Sequence, residues 1–295
     1  MRLDRAGTLA AWCVAVLLHA VTAAAATCTS IFTPADLDKI RKNLYGSFCL
    51  EQDIDLASVS NFRPIGMNSF GVDPFGGKFD GKGHVIRNLT IRSGGVAGFF
   101  AAVGGAGTLA TVTNIGLVHV NVVSTQGKDT GGLVATMYNS ALISDSYVTG
   151  SIVGWNFGFL GGLVGTQAGG TIQRSHSSAS VTGSGGAYAG GLVGDQGSSG
   201  GAKIVQSYAT GPVSVSGSGA HVGGLVGDSI GRVIQSSASG PVEVSDGYQN
   251  LVGGLVGVTI RDSTCNPVVE QSFATGSVTY NAPGDITLTS VGSPA

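Results

Sequence analysis

Two aspartates in repeated surroundings are the residues of this chain best placed for acid–base chemistry. Asp195 and Asp228 each directly follow a Gly-Gly-Leu-Val-Gly string, so structural repetition would stack them in neighbouring repeats. Glycosidic cleavage needs two carboxyl groups several ångströms apart, one of which acts as the acid. A solvated turn, where aspartate is common, accounts for the same pair without chemistry, and a bound cation is a third alternative. From residue preferences alone we favour the turn.

A run of aromatic residues is the second candidate site. Trp155, Phe157 and Phe159 alternate in the string GWNFGFLGG, so a strand would place all three on one face. Exposed, they would form a sugar-stacking or protein-binding patch, whereas burial, which these residue types favour, would widen the core. A separate row of varied size is expected to align in the repeats: Tyr147, His176, Tyr208, Ser236 and Phe273.

Known catalytic and metal-binding motifs are missing from the sequence. There is no H-E-x-x-H string and no C-x-x-C pair, and the histidines do not fall at ligand spacing. We therefore predict no cofactor, no metal site and no catalytic residues, and we expect that the chain is not an enzyme.

Composition narrows the class of protein. Of 295 residues, 50 are glycine and 11% are charged, the net charge is −2 and the mean hydropathy is +0.31. Low charge with positive hydropathy argues against disorder, and glycine without a three-residue period excludes collagen. Because no basic block could neutralise phosphates, we predict no nucleic-acid partner.

The N-terminus has the pattern of an export signal. Arg2 and Arg5 precede an apolar stretch that ends in four alanines at Ala26, which is the order typical of a secretory signal peptide. An uncleaved anchor is the alternative, although the stretch is short for a membrane span. We predict a signal peptide over residues 1–26 and a secreted, cell-surface or periplasmic protein without a membrane span in the mature chain.

Export would expose the remaining cysteines to oxidising conditions. Cys28, Cys49 and Cys265 remain after cleavage, and the first two flank one short predicted helix. We predict a Cys28–Cys49 disulfide, with three unpaired, buried thiols as the alternative.

The chain contains an array of repeats. Gly-Gly-Leu-Val begins at Gly131, Gly161, Gly190, Gly223 and Gly253, at intervals of 30, 29, 33 and 30 residues. Each copy is followed by an aliphatic residue and, three positions later, a serine. Short β-branched pieces rich in glycine disfavour helix and favour strands with turns. Stacked copies would bury a leucine ladder formed by Leu133, Leu163, Leu192, Leu225 and Leu255.

These features predict an all-β fold, a right-handed parallel β-helix or β-solenoid of about seven coils with a short N-terminal capping helix. A β-propeller is the alternative, but its blades take about 40–50 residues. The predicted organisation is a helix-plus-strand cap over 27–56, atypical coils over 57–128, five repeats over 129–280 and a C-terminal strand or tail over 281–295.

The GGLVG strings (GGLVA at Gly131), each followed by a SYATG-like string, resemble the GLUG repeat. That repeat occurs in bacterial surface and secreted proteins, including adhesins of the filamentous haemagglutinin type and regions that flank immunoglobulin A peptidases. The resemblance covers about residues 129–280, and it implies a β-solenoid without a catalytic residue set.

Together these observations predict an exported β-solenoid with a non-catalytic binding, adhesion or structural role. Its expected partner is a polysaccharide or a surface or matrix protein. A polysaccharide-active lyase or hydrolase on the same scaffold is one alternative, and a spacer in a larger surface protein is another.

Overall fold

The structure is a computed structural model that describes residues 27–69, 71–105, 109–138, 141–197, 201–261, 266–281 and 287–288. The predicted signal peptide (1–26), Cys265 and most of the predicted tail lie outside the described residues.

The first part of the chain forms a cap and two atypical coils. The cap holds β1 (Thr29–Ile31), a 3-10 turn (Pro34–Asp36), α1 (Leu37–Lys42), β2 (Ser47–Leu50) and β3 (Ile54–Asp55). The atypical coils hold β4 (Met67–Asn68), β5 (Gly71–Val72), β6 (Lys78–Asp80), β7 (Val85–Arg87), β8 (Thr90–Ser93), β9 (Phe100–Val103), β10 (Ala110–Thr113) and β11 (Gly116–Ser124).

The repeats supply the remaining strands. The first three hold β12 (Thr130–Gly131), β13 (Val134–Met137), β14 (Ala141–Ser144), β15 (Tyr147–Gly154), β16 (Phe159–Gly161), β17 (Val164–Gln167), β18 (Thr171–Gln173), β19 (His176–Ser177), β20 (Ser180–Ser184), β21 (Tyr188–Gly190), β22 (Val193–Gln196), β23 (Lys203–Val205), β24 (Tyr208–Ala209) and β25 (Val213–Ser216). The last two and the tail hold β26 (His221–Gly223), β27 (Val226–Ser229), β28 (Arg232–Ile234), β29 (Ser237–Ala238), β30 (Val242–Ser245), β31 (Leu251–Gly253), β32 (Val256–Thr259), β33 (Val268–Glu270), β34 (Phe273–Ala274), β35 (Val278–Asn281) and β36 (Thr287–Leu288).

Equivalent strands of successive coils pair in parallel and form four long sheets. Sheet 1 runs β1-β2-β6-β10-β14-β18-β23-β28-β33, and sheet 2 contains β11, β15, β20, β25, β30 and β35. Sheet 3 runs β12-β16-β21-β26-β31-β36, and sheet 4 runs β9-β13-β17-β22-β27-β32. Each repeat passes from sheet 3 through sheets 4 and 1 to sheet 2. The prediction of a parallel β-solenoid of about seven coils with one short N-terminal helix is confirmed.

The solenoid interior is filled by stacked apolar side chains. All five leucines of the predicted ladder are at most 1% exposed. In the atypical coils, phenylalanines such as Phe75 and Phe100 take over this role, with ring centroids 4.9 Å apart. Both rings are fully buried, so this part of the core adds close aromatic contacts to the area removed from water.

The Gly-Gly pair between sheets 3 and 4 is required by the distance between coils. A Cβ atom at Gly191 would overlap the carbonyl oxygen of Gly224, the equivalent residue of the next coil. Gly224 stands in the same relation to Gly254. Only glycine lets the backbones of neighbouring coils approach this closely at the turn.

A serine ladder sets the register at the corner between sheets 1 and 2. The residue before each serine is left-handed, with φ of 52° at Asp145, 46° at Arg174 and 50° at Gln206. Ser207 Oγ donates to the Val205 carbonyl at 2.9 Å and accepts from the Ser175 amide at 3.2 Å. Since each serine bonds the same serine of the preceding coil, the ladder explains why the residue repeats.

The cap covers the first coil. Cys28 and Cys49 are joined by a disulfide, with Cα atoms 5.7 Å apart. The Thr33 hydroxyl accepts from the Asp36 amide at 3.3 Å, and the Asp36 carboxylate accepts from the Thr33 amide at 3.0 Å. This capping box starts the helical segment, whose Leu37 and the following Ile40 are fully buried. Among the described residues, no helix combines the length and apolar character that a membrane crossing requires.

Replacing Ser207 by alanine should test the serine ladder. The change leaves the buried Ser175 amide without its acceptor, so the free energy of unfolding should fall by about 1–3 kcal/mol. The exposed Ser178→Ala, with no side-chain bond to lose, should stay within about 0.5 kcal/mol of wild type. Urea denaturation followed by circular dichroism measures both. Equal midpoints for the two variants would contradict the ladder.

Candidate functional site

Two rows of side chains meet across the Gly-Gly turns. The first row lies two positions before each turn, in or next to sheet 3, and consists of Asp129, Phe159, Tyr188, His221 and Leu251. The second row lies seven residues later, in sheet 4, and consists of Thr136, Thr166, Asp195, Asp228 and Val258. We call the surface formed by these two rows the acidic seam.

Hydrogen bonds show that the rows face each other. His221 Nδ1 lies 2.9 Å from Asp228 Oδ2, and the Thr136 hydroxyl donates to the Asp129 carboxylate at 2.6 Å. Each pair is separated by seven residues, with the Gly-Gly turn between its members. The turn therefore brings these two pairs together.

Stacking of the coils brings the two predicted aspartates side by side. Asp195 and Asp228 are direct register partners in β22 and β27. Neighbouring parallel strands are about 4.8 Å apart, so the two carboxyl groups belong to adjacent coils at a spacing suited to cooperation. Asp228 is 5% exposed, whereas Asp195 is half-buried and can be reached from solvent.

The acidic seam raises the pKa values of two of its aspartates. The pKa of Asp195 is raised to about 7, mainly by burial and then by the negative charges of Asp228 and Asp129, while His221 opposes the shift. Burial also raises the pKa of Asp129, against the hydrogen bond from Thr136. Asp195 is thus a carboxylic acid that still holds its proton close to neutral pH. A carboxyl group with a proton affinity in this range is suited to proton transfer.

Aromatic rings complete the seam. Tyr188 stacks on His221 with ring centroids 4.0 Å apart, and Phe159 meets Tyr188 edge-on at 5.3 Å. Burial, with the nearby charges of Asp228 and Asp195, raises the pKa of the Tyr188 hydroxyl. The stack holds the His221 ring from one side while Asp228 holds its Nδ1.

The predicted aromatic patch is divided by the fold. Trp155 and Phe157 lie in the corner between β15 and β16, where Asn156 and Phe157 adopt left-handed φ angles of 62° and 56°. A strand through all three aromatic residues is therefore wrong, because the chain turns from sheet 2 into sheet 3 at this point. Burial is wrong as well, since Trp155 is 52% and Phe157 66% exposed. Phe159 alone joins the seam.

Aromatic rings from the predicted row of Tyr147, His176, Tyr208, Ser236 and Phe273 stack on one another in sheet 2. The rings of Tyr147, His176 and Tyr208 are parallel within 5°, with centroids 5.1 Å and 4.5 Å apart. The expected alignment of Ser236 with this row is wrong, because Ser237 is the register partner of Tyr208. Burial lowers the pKa of His176. Stacking covers both faces of the His176 ring, whereas Tyr208, at the end of the stack, is 42% exposed.

His221 and Tyr188 are candidate functional residues that the sequence alone does not single out. His221 has no other histidine or carboxylate at metal-ligand spacing along the chain. The signal that finds it is the seven-residue spacing from His221 to Asp228 and from Tyr188 to Asp195 across Gly-Gly-Leu-Val. That spacing has meaning only when the turn geometry is known.

Comparisons with known proteins bear on fold and function. No protein-family model matches the chain. A candidate immunoglobulin A1 protease from Bacteroides ovatus has a similar structure, with a TM-score of 0.65 and 22% identity over 88% of this chain and 84% of its own. A structure named IgA1 Protease has a TM-score of 0.66 and 21% identity over 88% of this chain and 21% of its own. At this identity the likeness establishes the β-helix fold.

A sequence relative covers less of the chain. Halomucin from Haloquadratum walsbyi (strain DSM 16790 / HBSQ001) is 38% identical over 130 residues, which are 41% of this chain and 1% of Halomucin. The chain therefore spans a very small part of this relative. The GLUG resemblance rests on the repeated strings alone.

The expectation that the chain is not an enzyme is corrected by the structural comparison. Both similar structures bear protease names, and each is matched over 88% of this chain. A β-solenoid without a recognised catalytic motif therefore gives no ground for excluding an enzyme.

The raised pKa of Asp195 should make stability depend on pH. Between its ordinary value of 3.8 and about 7, the folded protein holds a proton that the unfolded chain releases, so stability falls as pH rises through this window. Asp195→Asn removes the buried charge and should stabilise the protein at pH 8, by on the order of 1–4 kcal/mol, with little effect at pH 4. Asp129 acts in the same direction, so part of the pH dependence remains.

Urea denaturation of both proteins at pH 4, 6 and 8 measures this effect. Asp246→Asn, which removes a carboxylate from a turn, is the charge-matched control. An Asp195→Asn variant that is no more stable than wild type at pH 8 would show that Asp195 ionises without penalty.

Proposed function

We propose that this chain is an exported β-solenoid hydrolase whose active site is the acidic seam. Asp195 acts as the general acid, and His221, oriented by Asp228, acts as the general base. The observation that supports this most directly is the hydrogen-bonded Asp228–His221 pair, whose Asp228 is the register partner of Asp195, an acid with its pKa raised to about 7. In many enzymes the acid and the base are two neighbouring titratable groups whose surroundings give them different pKa values.

The chemistry uses atoms that the seam places together. The Asp228 carboxylate accepts from His221 Nδ1–H, which leaves Nε2 as a proton acceptor. His221 Nε2 takes a proton from a water molecule as the water oxygen bonds to the electrophilic carbon of the substrate. Asp195 gives its proton to the leaving oxygen as the scissile bond breaks. Transfer of the proton from His221 back to Asp195 through solvent restores both groups.

The substrate is a polymer that lies along the seam. Both rows continue along the stacking direction of the coils for at least five repeats, so the surface fits an extended chain rather than a compact molecule. Glycosidic bonds are our first candidate, because a carboxylic acid that protonates the leaving oxygen is the usual acid in their hydrolysis. Peptide bonds are the second candidate, which the names of the two similar structures favour.

Export has independent support. The first 26 residues have the composition of a signal peptide, and the disulfide between Cys28 and Cys49 is typical of oxidising compartments. A secreted or cell-surface location would give the seam access to polymers outside the cell.

Hydrolysis should depend on the proposed acid, Asp195, and the proposed base, His221. We expect product release from dye-linked polysaccharides, assayed in parallel with casein and immunoglobulin A. Asp195→Asn and His221→Gln should each lower the rate by about 100-fold or more, which is the usual contribution of a general acid or base. The rate should also fall as pH rises above about 7, because Asp195 then loses its proton.

Asp246→Asn and Phe273→Ser, which leave the seam intact, should keep the wild-type rate. Absence of product from both substrate classes would overturn the hydrolase proposal. Full activity of Asp195→Asn would overturn the assigned acid.

A further inference from the structure

Three exposed aromatic residues lie along one edge of the solenoid. Trp155 and Phe157 occupy the corner between β15 and β16, and Tyr248 occupies the equivalent corner between β30 and β31. Their side chains are 52%, 66% and 63% exposed. We call these three residues the aromatic edge. Large aromatic side chains held in solvent on one line of a soluble protein are typical of a binding surface.

The two corners between them carry no large side chain. They consist of Gly-Gly-Ala at 185–187 and Gly-Ser-Gly-Ala at 217–220. A Cβ atom at Gly186 would lie 2.7 Å from Phe157 Cε1, so the ring rests directly on the glycine of the next coil. At the other end, Gly219 donates its amide to the Tyr248 carbonyl at 3.0 Å, and the Tyr248 amide donates to Ser218 Oγ at 3.2 Å.

The result is a narrow strip of backbone with aromatic residues at both ends. The corners of Trp155 and Tyr248 are three coils apart, which is about 14 Å at the spacing of parallel strands. The intervening corners hold only glycine, alanine and serine. Lys128 and Asp129 lie in the corner before that of Trp155, and Asp246 lies in the corner of Tyr248. The uncharged middle of the strip favours a neutral occupant over an anionic or a cationic one.

The shape of the strip favours a polymer over a folded protein. A stable protein interface buries about 800 Å² on each partner, which a strip one corner wide does not offer. A glycan chain needs only flat apolar faces for its rings and hydrogen-bonding groups for its hydroxyls. The exposed Trp, Phe and Tyr rings supply the apolar faces. The glycine-rich backbone and Ser218 supply the hydrogen-bonding groups.

The strip is continuous with the acidic seam. Phe159, in the first row of the seam, is two residues beyond Phe157, and Leu251, in the same row, is three residues beyond Tyr248. A chain lying in the strip therefore runs parallel to the row that contains Asp195 and Asp228. We propose that the aromatic edge is a binding site for a neutral polysaccharide. Its further role as a substrate subsite rests on the proposed hydrolase function, whereas binding itself does not.

Binding can be measured directly at the edge. In the full chain carrying Trp12→Phe, Trp155 is the sole tryptophan, so its fluorescence reports on this site. We expect titration with soluble β-1,3-glucan, xyloglucan or soluble starch to shift the emission in at least one case, with hyaluronate and polygalacturonate as anionic comparisons. Affinity electrophoresis with the same polymers should show Phe157→Ala and Tyr248→Ala each weakening binding by up to about tenfold.

Phe273→Ser is the matched control. Phe273 is 49% exposed on another surface, and Ser237 occupies its equivalent position in the preceding coil, so the repeat accepts serine there. Affinity should be unchanged in this variant. Binding of the neutral polymer by Asp195→Asn without product release separates binding from hydrolysis. Wild-type protein that binds none of the neutral polymers, binds the anionic ones better, or loses as much affinity in Phe273→Ser would overturn the proposal.

Discussion

Every coil of this protein stacks in register on its copy in the next coil, and the rest of the structure depends on that constraint. Stacking pairs each strand, buries each leucine on the next and leaves no room for a Cβ atom at the Gly-Gly turns. The Ser ladder repeats the same hydrogen bond from coil to coil. Because one repeat cannot bury its apolar face alone, these contacts are formed jointly or not at all.

Stacking in register also brings together the side chains of the proposed active site. A position in the repeat becomes a line along the solenoid, so one acidic side chain per repeat becomes a row of acids. Asp195 and Asp228 occupy adjacent coils, and burial together with their proximity raises the pKa of Asp195 to about 7. The Gly-Gly turn adds a second row seven residues away and brings His221 to Asp228. Asp195 and Asp228 have nearly identical neighbours in the sequence, but the fold gives them different proposed roles. Asp195 is the acid, and Asp228 is the partner of the base His221.

Much of the fold was predictable because repetition is visible in residue order. The leucine ladder, the parallel strands and the capping helix follow from periodicity and capping residues such as Thr33. The site was predictable only in part. Stacking of Asp195 on Asp228 follows from the repeat, but the pairing of His221 with Asp228 requires the path of the turn. The strand predicted through Trp155 is interrupted, because two consecutive residues, Asn156 and Phe157, are left-handed and form a corner. Alternation in a short segment cannot reveal such a turn.

Titration of Asp195 itself tests its role as the general acid without any substrate. Carboxyl carbon chemical shifts in protein labelled with ¹³C at aspartate Cγ, assigned by comparison with Asp195→Asn, give its pKa from spectra between pH 3 and 9. We expect a midpoint of about 7, which should move down in Asp228→Asn because a neighbouring negative charge is removed. A midpoint at the ordinary aspartate value of 3.8 would rule out Asp195 as the acid, since it would then have no proton to donate at neutral pH.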